Sequence, residues 1–299
     1  MTFAITGATS MLGVATIKNC ISKNISVIAF VRKGSSKIER LPSSPLVKIV
    51  ECDLAQMNNF NCAGLSADVF IHFGWAFTDK AGRNDVLKQL QNVQYTLDSI
   101  HLANKLGCKK FVGAGSQAEY GTPNVILKED TPVNPVVPYG VAKYSAGKFT
   151  HMECEKLGME HIWVRILSVF GTNDLEQTLI KQLILNAKEN KTMGLSGCEQ
   201  TWDYLFEDDA GSAFVEIAKN GVNGRIYNLG SGQKRQLKDY VETVIKLVNP
   251  GYKPEYGKFK YSILQPMFLV ADISNLVNDT GWLPKVSFED GIKRILNSI

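Results

Sequence analysis

Thr2-Phe3-Ala4-Ile5-Thr6-Gly7-Ala8-Thr9-Ser10-Met11-Leu12-Gly13 is an apolar run that ends in a glycine turn and passes straight into a helical pattern. Residues 3–6 predict a strand. Residues 11–22, with Leu12, Ala15, Thr16 and Asn19 at helical spacing, predict a helix. In that context a glycine turn can receive a pyrophosphate, because the N–H groups at the helix start are free and the helix dipole favours an anion. Gly7 allows the tight turn, Gly13 allows helix and strand to pack closely, Met11 and Leu12 open the helix, and Thr9 and Ser10 can add hydroxyl donors. Ser10 stands where a glycine is more usual, which leaves the backbone there less free.

The alternation begun by this stretch continues. Strands are predicted at 25–31, 47–51, 69–73, from 110, and at 161–167, with helices at 85–106 and 141–157 that Gly107 and Gly158 end. Repeated strand–helix alternation implies βαβ units, hence an α/β fold of the Rossmann type: a doubly wound parallel sheet with helices on both faces. After Gly171 the rhythm changes. Helices are expected at 175–188, 209–219 and 237–248 and strands at 202–206 and 226–229. This predicts a dinucleotide-binding domain over 1–171, with returning segments near 207–231, and a smaller lobe over 172–299 that is mainly substrate-binding.

The 299 residues carry a net charge of +4, with basic residues scattered rather than arranged in a stripe, so nucleic acid is not implied as a partner. Six cysteines include no Cys-x-x-Cys pair and no compact Cys/His cluster, which predicts reduced thiols and no metal site. The N-terminus reads as a strand rather than a signal peptide, and no apolar run reaches a membrane span; the expectation is a soluble, cytoplasmic protein.

The second strand is followed by Val31-Arg32-Lys33-Gly34-Ser35-Ser36-Lys37. A carboxylate at that point would hold the ribose 2′-hydroxyl of NAD, whereas Arg32 and nearby hydroxyls suit a 2′-phosphate. NADP(H) is therefore the expected cofactor, with NAD(H) as the alternative. Asp53 and Leu54, after the third strand, suit the adenine edge.

Tyr139 and Lys143 are four residues apart and so share one helical face. An ammonium there can help a phenol, whose ordinary pKa is near ~10, to trade protons at neutral pH. Upstream lies Gly115-Ser116-Gln117-Ala118-Glu119-Tyr120-Gly121.

Taken in order, these landmarks resemble the extended short-chain dehydrogenase/reductases of the NAD-dependent epimerase/dehydratase type. The resemblance runs from Thr6-Gly7 through Ile71-His72-Phe73-Gly74, Asn92, Ser116–Gly121, Pro138–Lys143, Arg165–Gly171, Trp202-Asp203-Tyr204 and Tyr227–Gly230 to Asp272 and Gly281-Trp282-Leu283-Pro284. It implies that Tyr139 is the general acid/base, that Lys143 holds the nicotinamide ribose and lowers the tyrosine pKa, and that Ser116 hydrogen-bonds the reacting sugar oxygen. It also implies cofactor contacts at Phe73, Gly74, Asn92 and Ile166, and substrate contacts at Trp75, Gln117, Ser168 and Trp202. Family enzymes are often dimers through a bundle containing the Tyr-Lys helix, so a homodimer is expected. His72 and His101 are expected to be structural.

Departures from the family pattern narrow the reaction. The 4,6-dehydratases have Asp and Glu directly after the serine or threonine, where this chain has Gln117 and Ala118; neither transfers protons. A cysteine used for epimerisation at C3 and C5 is likewise replaced by Ala118. Reduction of a 4-keto-6-deoxy nucleotide sugar is the main expectation, with nucleotide-sugar 4-epimerisation the alternative and a dinucleotide-sensing protein without turnover the least favoured. The arginines that usually clasp the substrate diphosphate are replaced by Trp202 and near Gln265-Pro266, leaving Arg235, Lys258 or Lys260 to compensate. Ser168 stands where an asparagine is usual.

Overall fold

The computed structural model describes residues 1–298. Its centre is a seven-stranded sheet. The first strands are β1 (Thr2–Thr6), β2 (Ser26–Val31), β3 (Val47–Glu51) and β4 (Val69–His72), followed by β5 (Lys110–Ser116) and β6 (Glu160–Ile166). Strand Ile226–Leu229 joins the β6 edge, so the spatial order is Ile226–Leu229, β6, β5, β4, β1, β2, β3, with every pairing parallel. Excluding the added edge strand, this is the 3-2-1-4-5-6 order, in which the direction of strand addition reverses between β1 and β4. A crevice opens at that point beyond the carboxyl ends of the strands.

Alternation along β1 builds two cores. Phe3 and Ile5 face one layer, with Val14 and Ile17 of α1 (Met11–Ser22). Ala4 faces the other, with Phe70, Phe111 and Ile100 and Ala103 of α3 (Val86–Lys105), which follows the short α2 (Lys80–Arg83). The α3 layer also holds α4 (Pro138–Lys156), seated through Trp163 of β6. A Cβ added to Gly113, Gly115 or Gly147 would come within 2.3, 2.4 and 2.8 Å of the Trp163 indole. These three positions leave the groove that lets α4 approach β5 and sets the height of Tyr139 above the sheet. A methyl group in that groove would cost about 1–3 kcal/mol through overpacking.

The later elements are β7 (Ser168–Phe170), α5 (Leu179–Lys188), β8 (Thr201–Trp202), β9 (Tyr204–Phe206), α6 (Glu207–Asn220), β10 (Ile226–Leu229), β11 (Arg235–Gln236), α7 (Leu237–Val248), β12 (Phe268–Leu269), α8 (Ser274–Thr280) and α9 (Phe288–Leu296). Helix α6 packs on α1, with Gly211 against the Ala15 backbone. Helices α5, α7 and α9 close a separate core with Phe170 and Phe206. Small sheets β7-β9 and β11-β8-β12 lie in this region.

The three largest departures from the expected boundaries each have a physical cause. The Tyr-Lys helix begins at Pro138, because proline at the first helical position loses no intrahelical bond. Helix α5 begins at Leu179 rather than at 175, because Asp174 accepts from the Leu175 amide and the Thr178 hydroxyl and holds a turn there. The strand expected at 202–206 is two strands in different sheets, broken at Asp203. Its buried carboxylate accepts from the Ser231 amide and hydroxyl and the Gly232 and Ala271 amides. The six cysteines are free thiols, five of them buried.

Candidate active site

A continuous cavity of about 1270 Å³ runs over the carboxyl ends of β1, β2, β4 and β5 and under the later elements. At its floor Gly7 adopts φ +62°, and an added Cβ would lie 2.8 Å from the Phe73 carbonyl carbon. Only glycine fits there, so β1 and β4 approach closely at the switch point. Ser10 caps α1, its hydroxyl accepting from the Gly13 amide at 3.1 Å. The Met11 and Leu12 amides have no partner within the helix and belong to residues that line the cavity. Such a cradle fits a pyrophosphate. Beneath it, Thr6 Oγ1 bonds His72 Nδ1 at 2.8 Å and accepts from the Gly74 amide at 3.2 Å, fixing the adjacent strand ends. Burial, helped by the Lys143 charge, pushes the His72 imidazole down to about 3, so it stays neutral.

The end beyond β2 and β3 is lined by Arg32, Ser35, Ser36, Lys37 and Arg40 on one side and Asp53 and Leu54 on the other. Three cationic side chains and two hydroxyls meet there, a donor set suited to a phosphate.

At the opposite end Ser116, Tyr139 and Lys143 converge. Ser116 closes β5, and its hydroxyl accepts from the Ala118 amide at 3.2 Å and shares a hydrogen bond with the Tyr139 side chain. Behind it the buried Glu119 carboxylate accepts from the Ser116 amide at 2.8 Å, from Trp163 Nε1 at 3.0 Å and from Arg165 Nε at 2.9 Å. This network fixes Ser116 from beneath. Lys143 is buried and donates to the Ala114 carbonyl at 2.6 Å. Burial lowers its ammonium to about 7, with Glu119 pulling it up and Arg83 pushing it further down. Burial raises the Tyr139 phenol, against the pull of Arg83 and the Ser116 hydrogen bond. The arrangement brings together a phenol able to exchange a proton, a hydroxyl hydrogen-bonded to it, and a buried ammonium pushed down to about 7.

A strap over residues 75–83 covers this centre. Gln89 of α3 is buried and ties it down: its Oε1 accepts from Trp75 Nε1 at 3.0 Å, and its Nε2 donates to the Gly82 carbonyl at 2.9 Å and the Phe77 carbonyl at 3.2 Å. Asn92, one helical turn on, pairs with both the amide and the carbonyl of Ala76. The Trp75 indole is then a platform for Lys143, whose Nζ lies 3.7 Å from its ring centre, and it meets the Tyr139 ring edge-to-face at 6.0 Å. The guanidinium of Arg83 lies over the Tyr139 ring at 4.1 Å.

The far wall consists of Ser168, Phe170, Asp174, Leu179, Trp202 and Tyr204, among others. Trp202 Nε1 donates to Ser168 Oγ at 2.8 Å. The lining from β7 onward carries no cationic side chain among the described residues. Arg235, Lys258 and Lys260 do not line the cavity: Arg235 pairs with Glu289 and lies over Tyr240, and Lys258 pairs with Glu255. None of the three is among the residues that line the cavity, so no side chain of this set reaches the expected place of the substrate diphosphate.

Of the expected site residues, Gly7, Thr9, Ser10, Met11, Leu12, Arg32, Asp53, Leu54, Phe73, Gly74, Trp75, Ser116, Gln117, Tyr139, Lys143, Ile166, Ser168 and Trp202 line this one cavity. Gly13 and Asn92 do not. Gly13 packs against the Gly7 carbonyl, and Asn92 lies buried behind the strap. Ser10 caps the helix with its oxygen as acceptor, which leaves its O–H available as a donor. Sequence reasoning missed Arg40, Arg83 and Gln89. The Asp79-x-x-Gly82 cap, with the Gly82 amide donating to Asp79 at 2.9 Å, was the available sign of a turn at Arg83.

The model of the NAD dependent epimerase/dehydratase family matches residues 3–230. A putative UDP-glucose 4-epimerase of Methanocaldococcus jannaschii is 25% identical, over 98% of this chain and 96% of that protein. The dTDP-4-dehydro-6-deoxyglucose reductase of Escherichia coli is 24% identical, over 99% and 96%. Among solved structures, the UDP-glucose 4-epimerase of Thermotoga maritima with UDP-glucose superposes with a TM-score of 0.87 at 20% identity, covering 100% of this chain and 98% of that one.

Proposed function

The chain belongs to the NAD dependent epimerase/dehydratase family, and from that premise we propose that it is a nucleotide-sugar 4-epimerase. The observation that carries this reading is the convergence of Ser116, Tyr139 and Lys143 at one end of the cavity, beside Gln117 and Ala118, which cannot drive elimination of water. That leaves chemistry confined to an alcohol and its ketone. Full-length similarity to UDP-glucose 4-epimerases of comparable length supports the epimerase.

In this reading Tyr139 takes the proton from the C4 hydroxyl as the carbon is oxidised and returns it when the ketone is reduced from its other face. Ser116 holds the same oxygen throughout, and Lys143 holds the nicotinamide ribose. A bound nicotinamide supplies the hydride acceptor and donor. Residues 1–171 carry the dinucleotide and residues 172–299 mainly the sugar nucleotide. The Gly7 turn holds the pyrophosphate, and Trp75, Gln117, Ser168 and Trp202 contact the substrate. A homodimer through α3 and α4 accounts for the exposure of Leu87, Leu90, Phe149 and Met152 on these helices.

A second reading, an NADP(H)-dependent 4-ketoreductase, is favoured by Arg32, Lys37 and Arg40, which flank the end of β2 where a 2′-phosphate would sit, and by the full-length similarity to the Escherichia coli reductase. The test is incubation with CDP-, dTDP-, GDP- and UDP-linked sugars and their 4-keto derivatives while nicotinamide absorbance is followed. A C4 epimer formed with no net cofactor change supports the epimerase; stoichiometric NADPH consumption replaces it with the reductase.

A further inference from the structure

We propose that Arg83 is a positioning residue of the acid/base centre: a second cation, held against Tyr139 by the 75–83 strap, that stabilises the phenolate alongside Lys143. The inference rests on the assignment of Tyr139 as the proton-transfer group and not on the identity of the sugar.

The geometry divides two tasks between two cations. Lys143 Nζ is 5.9 Å from the Tyr139 ring centre and is engaged elsewhere, with the Ala114 carbonyl and the Trp75 face. The Arg83 guanidinium is nearer, 4.1 Å from the same ring centre, and no carboxylate lies within ion-pair distance of it among the described residues. A guanidinium stacked on a phenol is attracted to the neutral ring and more strongly to the phenolate, since charge is added to the group it faces.

Its location is built into the chain. Asp79 caps the turn, Gln89 holds the Gly82 carbonyl, and a Cβ on Gly82 would strike Phe77 at 2.8 Å, so the turn that carries Arg83 is fixed one residue before it. The same Gln89 positions Trp75, the platform of Lys143. One buried amide therefore registers both cations.

The charged and titratable groups around Tyr139 are Arg83 from α2, Lys143 from its own helix and Glu119 beyond Ser116. Burial and Glu119 oppose ionisation of the phenol, and Arg83 favours it. Burial pushes the Lys143 ammonium down, and of the two cations Arg83 lies nearer the Tyr139 ring.

The test is an ultraviolet pH titration of phenolate formation in the full-length protein, with the Tyr139 step isolated as wild type minus Tyr139→Phe. The same difference is taken for Arg83→Met and Arg83→Lys, each against its double variant with Tyr139→Phe. Arg83→Met is expected to raise the Tyr139 midpoint by about one pH unit, the scale of one adjacent charge, and Arg83→Lys to recover part of that shift. An unchanged midpoint in Arg83→Met, or equal shifts in Met and Lys, overturns the proposal. No substrate enters the measurement, so failure of the epimerase reading leaves its result readable.

Discussion

The ammonium of Lys143 rests 3.7 Å from the centre of the Trp75 indole, so the buried cation that lines the cavity sits on an aromatic face instead of in an ion pair. Burial strips the ammonium of water and, against the pull of Glu119 and with the push of Arg83, drives the group down from 10.5 to about 7.

That shift has a direction in stability. Between about pH 7 and 10.5 the unfolded chain binds a proton at this lysine that the folded chain does not, so the contribution of Lys143 becomes less unfavourable as pH rises through that window. Below pH 7 both states are charged and the burial penalty is constant. Lys143→Met is therefore expected to be stabilised relative to wild type at pH 6, with the difference narrowing by roughly 2–3 kcal/mol at pH 9. Urea unfolding at the two pH values measures it; a pH-independent difference would contradict the shift.

Glu119 holds Ser116, Trp163 and Arg165 at once from a buried position. Glu119→Ala leaves the Arg165 guanidinium buried without its carboxylate. The expected loss is on the order of 3–5 kcal/mol, visible as a fall of roughly 10 °C in Tm. A change below ~1 kcal/mol would mean that Arg165 finds another partner.

Arg32 and Arg40 both line the cavity beyond β2. Arg32→Glu should weaken NADPH binding far more than NADH binding, because it sets a carboxylate against a 2′-phosphate and near a 2′-hydroxyl. Titration of dinucleotide binding by calorimetry reads the ratio, and an unchanged ratio removes the phosphate role from Arg32.

Phe149 and Met152 of α4 are each about half exposed, at 50% and 54%. Phe149→Asp places a charge in the proposed dimer contact and should yield a monomer by sedimentation, with an unchanged circular dichroism spectrum. A wild-type protein that is already monomeric at working concentration would contradict the proposed dimer.

The parts of this fold that rest on local chemistry were legible from residues close together in the chain. Gly7 and Gly13, six residues apart, announced the β1–α1 turn, and the four-residue spacing of Tyr139 and Lys143 announced a shared helical face. What was not legible depends on partners far along the chain. Asp203 breaks a strand because it meets Ser231 and Ala271, and nothing around position 203 signals that encounter. Arg83 meets Tyr139 only after α3 and α4 pack side by side, and Gln89 looked like an ordinary polar helix residue until the strap folded over it. Trp202 was readable as a departure from the family pattern, but its bond to Ser168 joins two departures that the sequence presents separately.

The account's central claim is that Tyr139 exchanges a proton with the C4 oxygen while hydride leaves and returns at C4 of the same molecule. The direct measurement uses a UDP-sugar carrying deuterium at C4, with the product analysed by mass spectrometry and NMR in wild type and Tyr139→Phe. The account predicts a C4 epimer that retains the deuterium at C4, and a rate lower by roughly 10²–10⁴-fold in Tyr139→Phe with dinucleotide binding preserved. Loss of the deuterium to solvent, or equal turnover without the phenol, would contradict it.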